Sequence, residues 1–312
     1  MGPAKVRALV TPPRCNENSG GIMGELRFVR FETLDGLRLN GMLADARSDI
    51  TTIHIHGRGG NFYENSFLRK MYEEYPRRGI NLLSFNNRGH SSYVEAHLNG
   101  NVAYIGSAIE QFEDCLLDLE AACTFARSFS SGIVLQGHSL GCEKVMYYGL
   151  HSDDALPLIL LSPSDGYRLQ TVYRYPESVE EQVSRLRSTY QLGGLEFLPE
   201  EEYGIRNRDL YYHVPITARA LVSLLTGPAF RVLRRGYPLG EPLQNKCFVY
   251  LGGLDALQVD GAEAMVEVLR ERFVNPDVEL YPQGDHHLRG AMPDVLNSLS
   301  QWILRTVRTS DG

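Results

Sequence analysis

Ten consecutive residues limit what this chain can fold into: Ile133-Val134-Leu135-Gln136-Gly137-His138-Ser139-Leu140-Gly141-Cys142. A short apolar run ends in a serine with glycine two positions before it and two after it, and a helical pattern follows from Glu143. The order reads as strand, sharp turn and helix, with a serine at the apex. A turn this tight strains the serine backbone and crowds its flanks, so that only residues without a Cβ fit there. The strain lifts the hydroxyl clear of the sheet, where a base and a carbonyl carbon can both reach it. Ser139 is therefore the candidate nucleophile. A glycine-rich turn without chemistry is the competing reading, and the partners below weigh against it.

Around this turn the sequence alternates between strands and helices. Leu26–Thr33 and Leu37–Ala44 alternate apolar and polar residues across Leu34-Asp35-Gly36, the pattern of an antiparallel hairpin. Strands follow at Thr51–Gly57, Asn81–Phe85, Leu156–Ser162, Cys247–Leu251 and Val278–Tyr281. Helical patterns cover Glu64–Arg78, Ser107–Arg127, Gly261–Arg272 and Pro293–Val307. The fold class is α/β: a mostly parallel sheet with helices on both faces, opened by the hairpin.

Between about Asp165 and Pro242 the rhythm breaks. Ser178-Val179-Glu180-Glu181 is a capping box that starts a helix running to about Gln191, and a second helix covers Pro215–Leu225. The chain divides into a core, residues 1–164 and 243–312, and a helical cap or lid, 165–242, inserted where the strands open onto the site. An accessory domain that never touches substrate is the alternative. Tyr167, Tyr173, Tyr175, Tyr203, Tyr211 and Tyr212 are candidates to line a pocket for an amphipathic substrate, or to pack.

Composition excludes some functions. The net charge of −7 is spread over interspersed signs with no basic stripe, so no nucleic-acid partner is expected. The longest apolar runs are too short for a membrane span, and the proline-broken start carries no signal-peptide core. Cys15, Cys115, Cys123, Cys142 and Cys247 are scattered without metal-type spacing and read as reduced thiols in a cytoplasmic protein. A small-molecule acyl substrate is the expected partner. The outer face of the lid could serve a homodimer, but nothing in the sequence demands one.

A serine hydroxyl needs an adjacent base. Gly284-Asp285-His286-His287-Leu288, between the last strand and the last helix, offers two imidazoles. The base in turn needs a carboxylate to fix its tautomer. Asp255, just after the Cys247–Leu251 strand, gives the chain order Ser, Asp, His; Asp165 and Asp260 are rivals. Two N–H groups must face the oxygen that becomes charged, and losing one costs about 3–4 kcal/mol. Leu140 N–H starts the helix after the serine, and Arg58 N–H lies in the glycine-rich loop His56–Asn61. The pair His54 and His56 has the spacing of two metal ligands but no companion ligand set. His56 therefore reads as a brace of its own turn, and no metal or cofactor is expected.

His56-Gly57, Arg88-Gly89-His90-Ser91, Gly137-His138-Ser139-Leu140-Gly141, Asp255 and His286, in this order and spacing, resemble the α/β-hydrolase superfamily in its serine-nucleophile branch. The resemblance covers roughly residues 26–308. It implies a central eight-stranded sheet, a cap inserted after the sixth strand, and a Ser139–His286–Asp255 triad without metal. It favours His286 over His287, because the family pattern has an apolar residue two after the histidine and Leu288 stands there. One departure is Asn87, where the usual residue before Arg-Gly is Asp. The implied reaction is cleavage of an ester, thioester or lactone through an acyl-enzyme. C–C bond hydrolysis, or acyl transfer or cyclisation in biosynthesis, would use the same triad. A slow-turnover ligand-binding receptor is a third reading.

Overall fold

Successive strand residues face opposite sides of a sheet, and in this chain both sides are apolar. In β7 (Gly132–His138), Val134 points to one face while Ile133 and Leu135 point to the other. In β8 (Leu158–Leu161), Ile159 and Leu161 share the Val134 side, and Leu158 and Leu160 the opposite one. Strands apolar on both faces must be covered on both faces. The computed structural model, which describes residues 25–173, 178–199, 202, 205–206, 211–212 and 215–308, shows that arrangement. The arm expected before Glu25 lies outside the described residues.

The sheet has eight strands in the order β1-β2-β4-β3-β7-β8-β11-β12. The remaining members are β1 (Glu25–Glu32), β2 (Arg38–Asp45), β3 (Ile50–Ile55), β4 (Asn81–Phe85), β11 (Cys247–Gly252) and β12 (Asp277–Tyr281). β1 and β2 form the expected hairpin, β2 runs antiparallel to β4, and the other neighbours are parallel. One face is covered by α1 (Ser66–Arg77) and α8 (Met292–Arg308), through Phe67, Met71, Leu299 and Trp302. The other is covered by α2 (Cys115–Arg127), α3 (Leu140–His151) and α7 (Ala262–Arg272), through Leu119, Val145 and Leu269. Among the described residues no helix is long and apolar enough to cross a membrane.

Two segments depart from the sequence expectation. A second hairpin, β5 (Val94–Leu98) and β6 (Asn101–Ile105), stands between β4 and α2. Its signal was present, since Asn99-Gly100 lies between alternating runs. With φ of 51° and 76°, the pair makes the left-handed turn that suits a two-residue hairpin. The helix expected from Ser107 starts only at Cys115, after a 3-10 turn at Phe112–Asp114. Ser107 and Ala108 instead donate their N–H groups to Ser91 O and Ser92 O, closing the base of the hairpin.

Between β8 and β11 lie α4 (Gly166–Tyr173), α5 (Val179–Thr189), a ribbon of β9 (Ile205–Arg206) and β10 (Tyr211–Tyr212), and α6 (Ala218–Thr226). The capping box is formed: Ser178 Oγ accepts from Glu181 N at 3.1 Å, and Glu181 accepts from Ser178 N at 2.7 Å. Thr217 caps α6, and its N–H and hydroxyl both donate to Ala108 O, at 2.8 and 3.0 Å. Tyr175 and Tyr203 lie outside the described residues, as do the side chains of Tyr173, Tyr211 and Tyr212.

Candidate active site

The parallel strands β3, β7, β8 and β11 end side by side at one edge of the sheet, where α/β sheets gather their ligands. Ser139 follows β7 there, partly exposed, at the start of α3. Its φ of 54° and ψ of −126° lie outside the regions that a residue with a side chain adopts without strain. Its N–H is held by Leu161 O at 2.9 Å. Crowding accounts for both flanking glycines. A Cβ on Gly137 would stand 2.3 Å from Gly141 O, and one on Gly141 would stand 2.2 Å from Ile55 O, both against backbone.

The loop after β3 abuts the serine: a Cβ on Gly57 would lie 2.9 Å from Ser139 Cβ. Burial pushes the His56 pKa well below its ordinary 6.5, so the ring is neutral, with one donor and one acceptor nitrogen. Nε2 accepts from Asn87 N at 3.2 Å, which leaves Nδ1–H to donate to Gly57 O at 2.8 Å. Gly60 N donates to the same carbonyl at 3.1 Å. With the Gly57 carbonyl tied on that side, the Arg58 N–H of the same trans peptide faces the other way. Leu140, the first residue of α3, has an N–H with no partner inside the helix.

His286 and Asp255 come together. The Asp255 side chain is fully buried; its Oδ2 meets His286 Nδ1 at 2.9 Å and its Oδ1 accepts from Leu257 N at 2.9 Å. A carboxylate only accepts, so Nδ1 carries the ring proton and Nε2 is the open acceptor. The rivals are engaged elsewhere. Asp260 pairs with Arg168 at 2.9 and 3.1 Å, and Asp165 accepts from Arg168 N at 2.8 Å at the start of α4. His287 is exposed, its N–H bound to Asp285 Oδ1.

Two anchors hold the histidine loop. Leu288 is wholly buried on the α1–α8 face, as its apolar character required. His138, kept neutral by burial, donates Nε2–H to His286 O at 2.8 Å, with the two rings 5.1 Å apart. Because His138 precedes Ser139, this bond ties the backbone of one candidate to the neighbour of the other. The Ser139 hydroxyl makes no hydrogen bond among the described residues. The structure thus joins candidate base to candidate acid and leaves the link to the hydroxyl open.

Sequence reasoning missed a buried charge beneath this site. Lys144, on α3, forms an ion pair with Glu110, lies over the Phe112 ring at 5.2 Å, and donates to Asn87 Oδ1 at 3.1 Å. Asn87 Oδ1 also accepts from Gly89 N at 3.0 Å, and the Asn87 N–H is the donor to His56. The substitution at position 87 therefore leaves its loop tied to α3, with Glu110 supplying the carboxylate. A lysine on an otherwise inward-facing helix was the available signal.

His54 and His56 are bound separately. His54 Nδ1 accepts from Gln136 Nε2 at 2.8 Å, and burial against Phe67 pushes its pKa down to about 3. No group of three or more His, Cys, Asp or Glu is placed to hold a metal among the described residues. Tyr167 is buried with the Arg234 guanidinium 3.8 Å over its ring, a packing role.

No protein-family model and no curated protein matches this sequence. Solved structures do resemble it. An esterase of Pyrococcus furiosus, Pf2001, superposes with a TM-score of 0.59 at 17% identity, covering 96% of this chain and 98% of that one. The α/β-hydrolase GrgF from Penicillium sp. sh18 gives 0.65 at 16%, over 91% and 99%. Est1E from Butyrivibrio proteoclasticus, with ferulic acid bound, gives 0.58 at 18%, over 87% and 96%. Identities this low speak to architecture alone, and on that point they agree with the strand order and the serine turn: the chain has the α/β-hydrolase fold.

Proposed function

We propose that this chain is a serine hydrolase that cleaves a small ester, thioester or lactone through Ser139, His286 and Asp255. His286 Nε2 takes the Ser139 proton as the oxygen attacks the carbonyl carbon, while Asp255 stabilises the imidazolium through Nδ1–H. The Leu140 and Arg58 N–H groups receive the oxyanion. Collapse of the tetrahedral intermediate returns the proton to the leaving group and forms an acyl-enzyme. Water, deprotonated by His286, then releases the acid and restores the serine.

The observation that carries the reading is the His286–Asp255 pair, fastened through His138 beside a serine held at φ 54°. An exposed loop histidine has no need of a fully buried carboxylate partner, whereas a base that must hold one tautomer does. The elements between β8 and β11 are read as the cap, residues 165–242. Among the described residues, four free, buried cysteines support a reducing, cytoplasmic setting.

A fluorophosphonate probe tests the nucleophile. The wild-type chain is expected to be labelled once, at Ser139, and Ser139→Ala to be unlabelled. Labelling that persists in Ser139→Ala contradicts the assignment.

A further inference from the structure

Two excursions from the sheet meet beside the loop proposed to hold the oxyanion, and together they bring three aromatic rings that the core does not use. The β5–β6 hairpin rises next to that loop. Ser91 N donates to Gly60 O at 3.3 Å, and a Cβ on Gly59 would stand 3.3 Å from Ser107 Oγ and 3.6 Å from Ser91 O. Gly57 of the same loop abuts Ser139.

Strand pairing sorts the faces of the hairpin. Val94, Ala96 and Leu98 stand opposite Ile105, Ala103 and Asn101, and Ala96, Leu98 and Ile105 pack on the core. Tyr93 and Tyr104 are left to the other face, where they stack with centroids 4.8 Å apart and planes 7° apart. Phe197, from the insertion, meets Tyr93 edge-on at 5.7 Å and 88°. Backbone fixes it there: Phe197 bridges to Thr217, which is bound to Ala108 O at the base of the hairpin. The rings nonetheless stay open, Tyr104 at 48% and Phe197 at 43% exposure. Rings held in place from two distant segments and left half-exposed form a preorganised surface rather than core filling.

We propose that Tyr93, Tyr104 and Phe197 form an aryl subsite, so that the acyl compound cleaved at Ser139 carries an aromatic ring. The inference rests on the hydrolase reading and narrows its substrate class. A flat stacked pair with a third ring edge-on offers both geometries that aromatic partners favour. An alkyl chain gains only area there, whereas a ring gains a further factor of about three to ten in affinity.

The test is competition against fluorophosphonate labelling of Ser139, in the full chain, by two neutral amides: 3-phenylpropanamide and octanamide. Phe197→Leu and Tyr104→Leu keep apolar bulk at half-exposed positions, and their labelling rate without competitor reports an intact site. Each variant is expected to need about three to ten times more 3-phenylpropanamide for equal protection, with octanamide protection within about twofold of wild type. Equal losses for both amides, no change for either, or no protection of the wild type by 3-phenylpropanamide overturns the aryl subsite. An unlabelled wild-type Ser139 overturns the hydrolase reading instead, so the two failures are distinct.

Discussion

The turn after β7 and the insertion after β8 lie in the same molecule but are held by different means. At the turn, backbone touches backbone: Gly137 faces Gly141 O, Gly141 faces Ile55 O, and Ser139 N–H is bound to Leu161 O. In the insertion, Gly193, Gly236 and Gly240 meet nothing within 4 Å, a Cβ on Gly166 or Gly227 would first meet a side chain (Phe230 or Glu113), and Thr217 reaches Ala108 O through both its N–H and its hydroxyl. Ser139 is thus placed by backbone contacts that tolerate no added atom, while several glycines of the insertion have room for one. On the proposed function, chemistry belongs to the first region and selectivity to the second.

Asp255→Asn tests the first region without touching its backbone. The variant should keep its fold and lose about 10⁴-fold in kcat, because the amide no longer holds the His286 tautomer. Steady-state kinetics on a turned-over ester, with thermal unfolding as control, check this; a loss under tenfold breaks the account.

The contrast itself is tested by one methyl group in two places. Gly141→Ala drives a Cβ against Ile55 O and should cost about 3 kcal/mol or more, with labelling lost. Gly193→Ala enters open space and should stay within about 1 kcal/mol of wild type. Denaturant titration of both variants measures the difference, and equal effects would erase the distinction.

Glu143 sharpens the comparison, because it lies one turn after Ser139 and feels the charge of Asp165 at the root of the insertion. It is fully buried, neither carboxylate oxygen has a hydrogen-bond partner among the described residues, and burial pushes its pKa well above the ordinary 4.5. The folded chain therefore keeps a proton that the unfolded chain releases above 4.5, so this group's contribution to stability falls as pH rises toward the folded pKa. Glu143→Gln removes that loss. It should match wild type near pH 4.5 and be the more stable of the two at pH 8. A variant with the wild-type pH slope contradicts the buried, protonated assignment.

What could be seen in the sequence follows the same division. The serine turn, the β1–β2 hairpin and the Ser178 capping box are local patterns, set by residues within four positions of each other, and each formed as its spacing required. The β5–β6 hairpin was equally local, its Asn99-Gly100 turn being an available signal. Long-range partners were legible only through chain order and the family resemblance, which named Asp255 with His286, while the Glu110 carboxylate beside Lys144, from 34 positions earlier, had no such signal. The Tyr93–Phe197 contact joins two segments whose separate patterns say nothing about each other. Burial creates these pairings only after the chain has closed, so no spacing rule encodes them.

The link between Ser139 and His286 is open in the structure, and a crystal structure of the fluorophosphonate adduct would close it. Phosphorus is expected on Ser139 Oγ, with His286 Nε2 within hydrogen-bond reach of that oxygen and the phosphoryl oxygen about 2.7–3.1 Å from the Leu140 and Arg58 nitrogens. An adduct on another residue, or one at Ser139 with the His286 ring turned away and the phosphoryl oxygen facing solvent, would contradict the assignment.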